Sequence, residues 1–524
     1  MSKTKAFYNI QHQKPKMNIF DLTADKKGSS DMGQLTPIFV MDLIPGDKVS
    51  LKNNILMRFA PLVAPVMHRA KVYCHTFFVP NRLLWPNWED FITGGEDGQD
   101  VNVWPYINLD FDTNDPGSLG DYLGLPTSAD VPAGAARNVS GFPFAAYQKI
   151  YNDYYRDQNL ISEQLDQLNN GENTNTNLRT LRKRAWSRDY FTSSLPFLQR
   201  GPEALLPLQG DASIVRQDPP TNQQVVELLD GTAAPDAETL ATLTNAILGV
   251  NPSGQNAIIN LNDTHYVDLS TASATSIIEL RRAFKLQEWL EKSARGGARY
   301  IETIRVFFGV SSSDKRLQRA EYLGGCQTPI KISEVLQTSA SGSDVQQMDT
   351  PQANMAGHGI ATTGGDWISY FAEEHGYLMT IMSVMPMSAY QQGIPKHFQR
   401  RDKFDYFWPQ FQHIGEQAIA VDEIYVDPAG SGNDVFGYTP RYVEYKNIPN
   451  TVHGDFRTSL DFWHMGRKFA SKPALNQDFI EMDSTEVDRI FAVTEQGANK
   501  LWWHVLNEVK AQRPMAVYGN PQFG

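Results

Sequence analysis

Histidines beside acids, two cysteines, one oxygen-rich loop and several basic clusters are the groups in this chain that could do chemistry. His375 follows Glu373 and Glu374, His397 lies near Asp402, His413 near Glu416, and His453 precedes Asp455. Such neighbours suit acid–base or metal work, but they share no fixed spacing, and structural hydrogen bonding is the simpler expectation for each. Cys74 and Cys326 are the only cysteines. Their number and their separation in sequence argue against a disulfide framework and against a thiolate zinc site. Cys74 stands in an alternating apolar run and reads as a small buried hydrophobe. The stretch from Asp110 through Asp112 and Asn114 to Asp115 resembles the opening of a calcium loop. It has Asp115 where the loop needs Gly and Asp121 where it needs a closing Glu, so an EF-hand is rejected. Asp110, Asp112 and Asn114 remain weak candidates for an irregular divalent-cation site, against a plain Asx-turn loop. Gly357, Gly359, Gly364 and Gly365 flank His358 with the wrong spacing for a dinucleotide loop, and a turn cluster near a subunit contact is expected. There is no Walker loop, HExxH, paired CxxC or GxSxG. No cofactor and no enzymatic activity are expected.

The basic residues could face a polyanion, and only the N-terminal arm, with no acids nearby, fits that reading better than local pairing. The first twenty residues carry Lys3, Lys5, Lys14 and Lys16 and no acid. They have no helical or strand period, so residues 1–24 read as a basic arm, with a plain solvated terminus as the alternative. Arg179, Arg182, Lys183, Arg184 and Arg188 cluster beside Trp186 and Tyr190, and a second cluster runs from Arg281 to Arg305 beside Trp289 and Tyr300. Lysine and arginine neutralise phosphate while aromatic rings stack unpaired bases. Lys3, Lys5, Lys14, Lys16, Arg182, Lys183 and Arg184 are therefore the nucleic-acid-facing candidates. The competing reading is that the clustered arginines satisfy local acids such as Asp189, Glu288 and Glu302.

The elements that must position these groups are mainly strands. In 524 residues there are 47 Lys and Arg against 59 Asp and Glu, a net charge of -12. Charged residues make up 20% and aromatics 11%, which fits either a large core or extensive subunit contact. The N-terminus lacks the apolar centre of a signal peptide, and no apolar run reaches the roughly 18 residues of a membrane span; a soluble protein outside the Sec route is expected. Strand-like segments include Val49 to Asn53, Met57 to Ala60, Lys71 to Val79, Tyr377 to Met385, Tyr438 to Ile448, Arg489 to Val493 and Leu501 to Val509. They are separated by Pro- and Gly-marked turns without regular intervening helices, which favours antiparallel sheets. Tyr147 to Leu160 suggests a helix. Ser276 to Glu279 forms a capping-box pattern that opens a second helix, with Glu288 four residues before Lys292 and Gly296-Gly297 as its stop. Residues 201–275 hold nine acids and one base, a local charge of -8, with six prolines. That composition reads as an acidic surface insertion, dividing the flanking regions into 25–200 and 276–524.

Longer strings carry a resemblance. Leu43 to Val49, Phe77 to Trp85 with Trp88, Asp189 to Thr192 with Leu195-Pro196, and Leu286 to Leu290 with Gly296-Gly297 are similar to segments of the major capsid protein of the Microviridae, small icosahedral single-stranded DNA phages. So are Glu374 to Tyr377, Met382 to Pro386, and the long run from Tyr390 through Asp402 and Trp408-Pro409 to Gln417. His453 to Arg457 and Arg513-Pro514 complete the series. The resemblance spans roughly residues 36–520 and lies nearest the gokushovirus-like branch.

The resemblance implies an eight-stranded antiparallel jelly roll with long loop and helical insertions. It implies a homo-oligomer of sixty copies in a T=1 shell around a circular ssDNA genome, assembled in a bacterial host cytoplasm. Implied partners are a small basic DNA-binding virion protein, a pilot protein and a bacterial surface receptor. The acidic residues 201–275 fit the variable insertion that projects at the threefold axes in that branch. A -12 subunit cannot neutralise a genome by itself, so bases are expected to face inward and the acidic insertion outward. The alternatives are a β-rich carbohydrate-active enzyme, whose carboxyl pair no motif here demands, and a non-capsid nucleic-acid-binding protein, whose basic excess is missing over most of the chain.

Overall fold

The computed structural model describes residues 16–95, 101–202, 277–297, 299–336, 338, 355–430, 434–495 and 497–518, together with four short backbone strands between 213 and 268. Two compact units are present: residues 1–198 with 293–524, and residues 199–292.

The larger unit is built on a sandwich of eleven strands: β1 (Asn18–Asp21), β2 (Ala24–Ser30), β3 (Thr36–Leu43), β4 (Lys48–Phe59), β5 (Ala70–Pro80), β6 (Glu321–Pro329), β7 (Lys331–Leu336), β8 (Met355–Gly364), β9 (Ile368–Phe371), β10 (Gly376–Pro386) and β11 (Leu501–Arg513). One sheet runs β1-β11-β4-β8-β7, with β2 also on β11 and β9 also on β4; the other runs β6-β5-β10-β3. All pairings are antiparallel. Along the chain β2, β4, β7–β9 and β11 enter the first sheet, while β3, β5, β6 and β10 enter the second. This alternation and neighbour order are those of a jelly roll, two interleaved Greek keys. The expected mainly β, antiparallel class is therefore the observed one, although the two sheets hold eleven strands where eight were expected.

Ile55, Met57 and Phe59 of β4 and Leu501, Trp503 and Val505 of β11 pack against Val72 and Cys74 of β5 and Met382 and Val384 of β10, which fixes the two sheets face to face. The outer side of the second sheet is also covered. Phe77, Val79, Met379 and Ile381 meet Phe144, Tyr147 and Ile150 of helix α1 (Phe142–Ile150). Burial on both sides explains why β10 is a mostly apolar run buried at almost every position, whereas β4 and β11 of the first sheet alternate buried and open positions.

Several sequence expectations need correction. Val49 to Asn53 and Met57 to Ala60 are parts of one strand, β4. The helix expected from Tyr147 begins earlier, at Phe142, and ends in a single wider turn over Tyr151–Tyr155. Tyr438 to Ile448 is strand only as far as Pro440, followed by a 3-10 turn at Val443–Tyr445. Arg489 to Val493 contributes a 3-10 turn and a single bridge from Phe491 to Leu62. The glycine cluster at 357–364 is part of strand β8, not a turn. A side chain at Gly357 would meet the Ala64 carbonyl at 2.4 Å and one at Gly359 the Phe59 ring at 2.7 Å, so glycine lets neighbouring segments close in. Cys74 and Cys326, remote in sequence, stand opposite each other on β5 and β6.

In the smaller unit, Ser213–Arg216 pairs with His265–Asp268 and Val226–Leu228 with Ala257–Ile259, one antiparallel pair nested within the other. The helix α2 (Ile277–Gly296) begins here and has the expected Glu288–Lys292 ion pair at 2.7 Å. Lys285 adds a second contact at 2.6 Å, and these two ammonium groups pull the exposed Glu288 carboxyl down to about 2. Ser276, the expected cap, lies outside the described residues.

Candidate genome-facing cavity and assembly surface

The outer side of the second sheet opens into a cavity of about 520 Å³. β5 supplies His75 and Phe77, the turn after α1 supplies Tyr154, Tyr155 and Arg156, and the extended segment 184–188 supplies Arg184, Trp186 and Arg188. Arg299, Glu302 and Tyr322 complete the wall. Four arginines, Arg156, Arg184, Arg188 and Arg299, line this space beside two acids, Asp157 and Glu302. Asp157 accepts from the backbone amides of Asn159 and Leu160, and Glu302 accepts from Arg299 and Gln158. Cationic charge and aromatic faces are thus combined in one hollow.

Each arginine is held differently. The Arg184 guanidinium lies 4.2 Å over the Tyr73 ring and donates to Ser383 Oγ at 2.7 Å. Arg299 donates to the carbonyls of Asn152 and Arg156. Arg156 donates to the Ile161 carbonyl, yet its buried Nε has no protein acceptor. Arg188 is exposed and has no ion-pair partner among the described residues. His75 shares a hydrogen bond of 2.8 Å with the Tyr155 hydroxyl, and burial, followed by repulsion from Arg184, pushes its imidazole down to about 4. A neutral His75 keeps a further positive charge out of a site already rich in them.

The remaining sequence candidates are dispersed. Lys16 is exposed immediately before β1, while Lys3, Lys5 and Lys14 lie outside the described residues. Arg182 is half-buried, donating to Gln148 and the Asn177 carbonyl with its guanidinium over the Tyr151 ring, and Lys183 is paired with Asp483 at 2.6 Å. Trp186 is buried under Arg467, and Tyr190 is buried and donates to Glu423. These rings are not available for stacking on bases. In the second cluster Arg295 pairs with Glu416 and Arg299 with Glu302, the latter one of the local acids that the competing reading named.

Asp110, Asp112 and Asn114 do not converge on a point either. The Asp110 carboxylate accepts from the Asp112 amide and the Asp112 carboxylate from the Gly134 amide. Asn114 is buried, donating to the Pro126 carbonyl and accepting from Ser118. Among the described residues no three acids, histidines or cysteines gather as metal ligands. Loop-closing Asx geometry accounts for this segment.

A second surface is apolar and was not singled out by its chemistry in the sequence. Between β10 and β11, three 3-10 turns at Lys396–Phe398, Lys403–Asp405 and Pro409–Phe411 hold up a face of aromatic side chains. Phe398 is 73% exposed, Ile414 61% and Ile448 90%, and Phe404, Tyr406, Phe407 and Trp408 are about half exposed. The face is braced from below: Arg400 lies 4.3 Å over Tyr445, Arg441 lies 4.9 Å over Tyr442, and the Asp405 carboxylate accepts from the amides of Arg401 and Asp402. Those two bonds hold the Asp405 carboxyl below its usual range. Exposed aromatics mixed with arginine have the composition of a protein–protein interface.

A family model described as "Capsid protein (F protein)" matches residues 9–523. The chain belongs to this phage capsid-protein family. It is 34% identical to "Capsid protein VP1" of Bdellovibrio phage phiMH2K, over 96% of this chain and 94% of that one. It is 33% identical to "Capsid protein VP1" of Chlamydia phage 1, over 96% and 95%, and 31% identical to that of Spiroplasma virus 4, over 94% and 92%. The protein is a structural, non-enzymatic capsid subunit that assembles with copies of itself in a phage virion. For a capsid subunit, adhesion between copies is the activity.

Proposed function

We propose that sixty copies of this capsid subunit form a T=1 shell around a circular single-stranded DNA genome, with the arginine-lined cavity and the basic arm on the inner side. The observation that carries the genome-facing assignment is the cavity itself. Four arginines, one of them exposed and without an ion-pair partner among the described residues, line a space of about 520 Å³ together with aromatic residues. Single-stranded DNA presents phosphates and unpaired bases together, and this combination is complementary to both. The net charge of -12 leaves most of the neutralisation to other molecules. A small basic virion protein is the natural supplier, with a pilot protein as a further virion component. Lys3, Lys5, Lys14 and Lys16 would add to the inner charge, and the acidic residues 201–275 would face outward at the threefold axes to meet a bacterial receptor.

The test is the DNA content of purified particles, read as nuclease-resistant DNA per particle. Arg188→Glu combined with serine at Lys3, Lys5, Lys14 and Lys16 should lower it several-fold while electron microscopy still finds closed shells. Normal DNA content in that variant would place the genome contacts elsewhere. Removal of residues 211–270 should leave shells intact and reduce attachment to host cells; failure to form shells would make that segment part of the scaffold.

A further inference from the structure

Two cysteines in 524 residues meet at one place in the sandwich. Cys74 lies on β5 and Cys326 on β6, the edge strand of the second sheet, and the antiparallel register sets them directly opposite each other. Directly opposed residues of such a pair have Cα atoms about 4.5–5.5 Å apart, and their side chains project to the same face. A disulfide spans about 4.4–6.8 Å between Cα atoms. The backbone has been brought close at this point: a side chain at Gly325 would meet the Cys74 carbonyl at 2.3 Å, and a bulge at Tyr322–Gly324 immediately precedes the pair. The two thiols differ in access. Cys74 is fully enclosed between the sheets, whereas Cys326 is half-buried, with the Thr363 hydroxyl 4.0 Å from its sulfur.

We propose that Cys74 and Cys326 form a modification site, a cross-strand dithiol that a low-molecular-weight disulfide converts into an intramolecular disulfide. The Cys326 thiolate attacks one sulfur of the small disulfide, forming a mixed disulfide and releasing one small thiolate, which takes up a proton. The Cys74 sulfur then attacks the Cys326 sulfur, losing its proton as the Cys74–Cys326 bond forms and the second small thiol leaves. Two protein thiols are oxidised, one small disulfide is reduced to two thiols, and no other electron acceptor is required. Cys326 is suited to the first step because a hydrogen bond from the Cys74 thiol draws it down to about 7, while that contact and burial push Cys74 up. A thiol with a pKa near the ambient pH is the best attacker in such exchange.

The bond would join the two ends of the long excursion from residue 75 to residue 325, which leaves the sheet from β5 and returns on β6. It would therefore act as a staple within the β5–β6 ladder from which that excursion departs, absent under reducing conditions and formed once the particle meets an oxidising medium.

The experiment treats purified particles with oxidised glutathione, alkylates the remaining thiols after denaturation, and reads intact and peptide masses. Wild type should lose both alkylatable thiols, retain no glutathione and yield a Cys74–Cys326 linked peptide. Cys74→Ala should stop at a glutathione adduct on Cys326, and Cys326→Ala should remain unmodified at Cys74. Two alkylatable thiols left in wild type, or a wild-type product that halts at the glutathione adduct, would overturn the proposal. Glutathione on Cys74 in the Cys326→Ala protein would overturn the order of attack. Because the wild-type result needs no substitution, a variant that fails to fold leaves the proposal open to refutation. The linked form should also melt several degrees above the reduced form, and a reducing agent should reverse the difference.

Discussion

The two sheets of the sandwich share a core yet meet different surroundings on their outer sides. The β6-β5-β10-β3 sheet is covered on its outer side by α1 and the segments around it, and its central strands carry apolar residues on both faces. The sheet built on β4 and β11 is open outside. There Lys52 faces Glu508, Ser50 faces Ser369, His504 faces Asp25, and Lys510 lies 5.7 Å from the Trp367 ring. Side-chain burial in the first case and small polar pairs in the second do the same job of holding strands in register, at very different energies per residue. The covered sheet is thus where stability is concentrated, and the open one is free to vary its surface for contact with other molecules.

Substitutions on the outer sides of the two sheets should expose this asymmetry. Phe77→Ala removes a ring that is 1% exposed between β5 and α1 and should cost about 3–5 kcal/mol, seen as a large fall in the denaturant midpoint and in soluble yield. A loss below about 1 kcal/mol would mean that the covering layer adds little. Acidification should come next. The folded pKa of His75, about 4, lies below the ordinary value of 6.5, so the unfolded chain binds more protons between those limits. The stability conferred by neutral His75 is fully present above pH 6.5 and is lost as pH falls toward 4, by about 2–3 kcal/mol. Arg184, Tyr155 and Tyr322 are the groups that face it. Unfolding curves at pH 7 and pH 4.5 should diverge less for His75→Gln than for wild type; equal losses would remove His75 from the account. The smallest effect is expected on the open sheet, where Lys52→Ala breaks a part-exposed 3.9 Å pair with Glu508 and should shift stability by about 0.5 kcal/mol or less. A larger loss there would contradict the contrast.

Burial on both faces also decides what could be read from sequence. Lys71 to Val79 and Tyr377 to Met385 were legible as strands because most of their residues on both faces are apolar or aromatic, and α2 was legible from local spacing and the Glu288–Lys292 pair. Tyr438 to Ile448 alternates equally well, yet Tyr442 adopts a left-handed conformation, with φ of 63°, and the chain leaves the strand there for a 3-10 turn. The glycines of β8 look like a turn because their role is to admit the backbone at Ala64 and the ring of Phe59, neighbours that only the fold reveals. The cavity was half legible. Arg184 and Arg188 lie in a visible basic cluster, but Arg156, Tyr155 and Tyr322 come from separate segments with no shared motif. The cysteine pair left no trace at all, since strand order alone brings residue 74 to residue 326.

β11 draws the first and last parts of the described chain together. It pairs with β1, β2 and β4, and Asn18 reaches the carbonyl of Met515. Residues made first at the ribosome must therefore wait for partners made nearly five hundred residues later, a topology that slows folding. A polypeptide released before that strand emerges would lack the centre of one layer and expose strand edges instead. A chain that stops short of β11 therefore lacks the strand on which β1, β2 and β4 all pair, and cannot complete the first sheet.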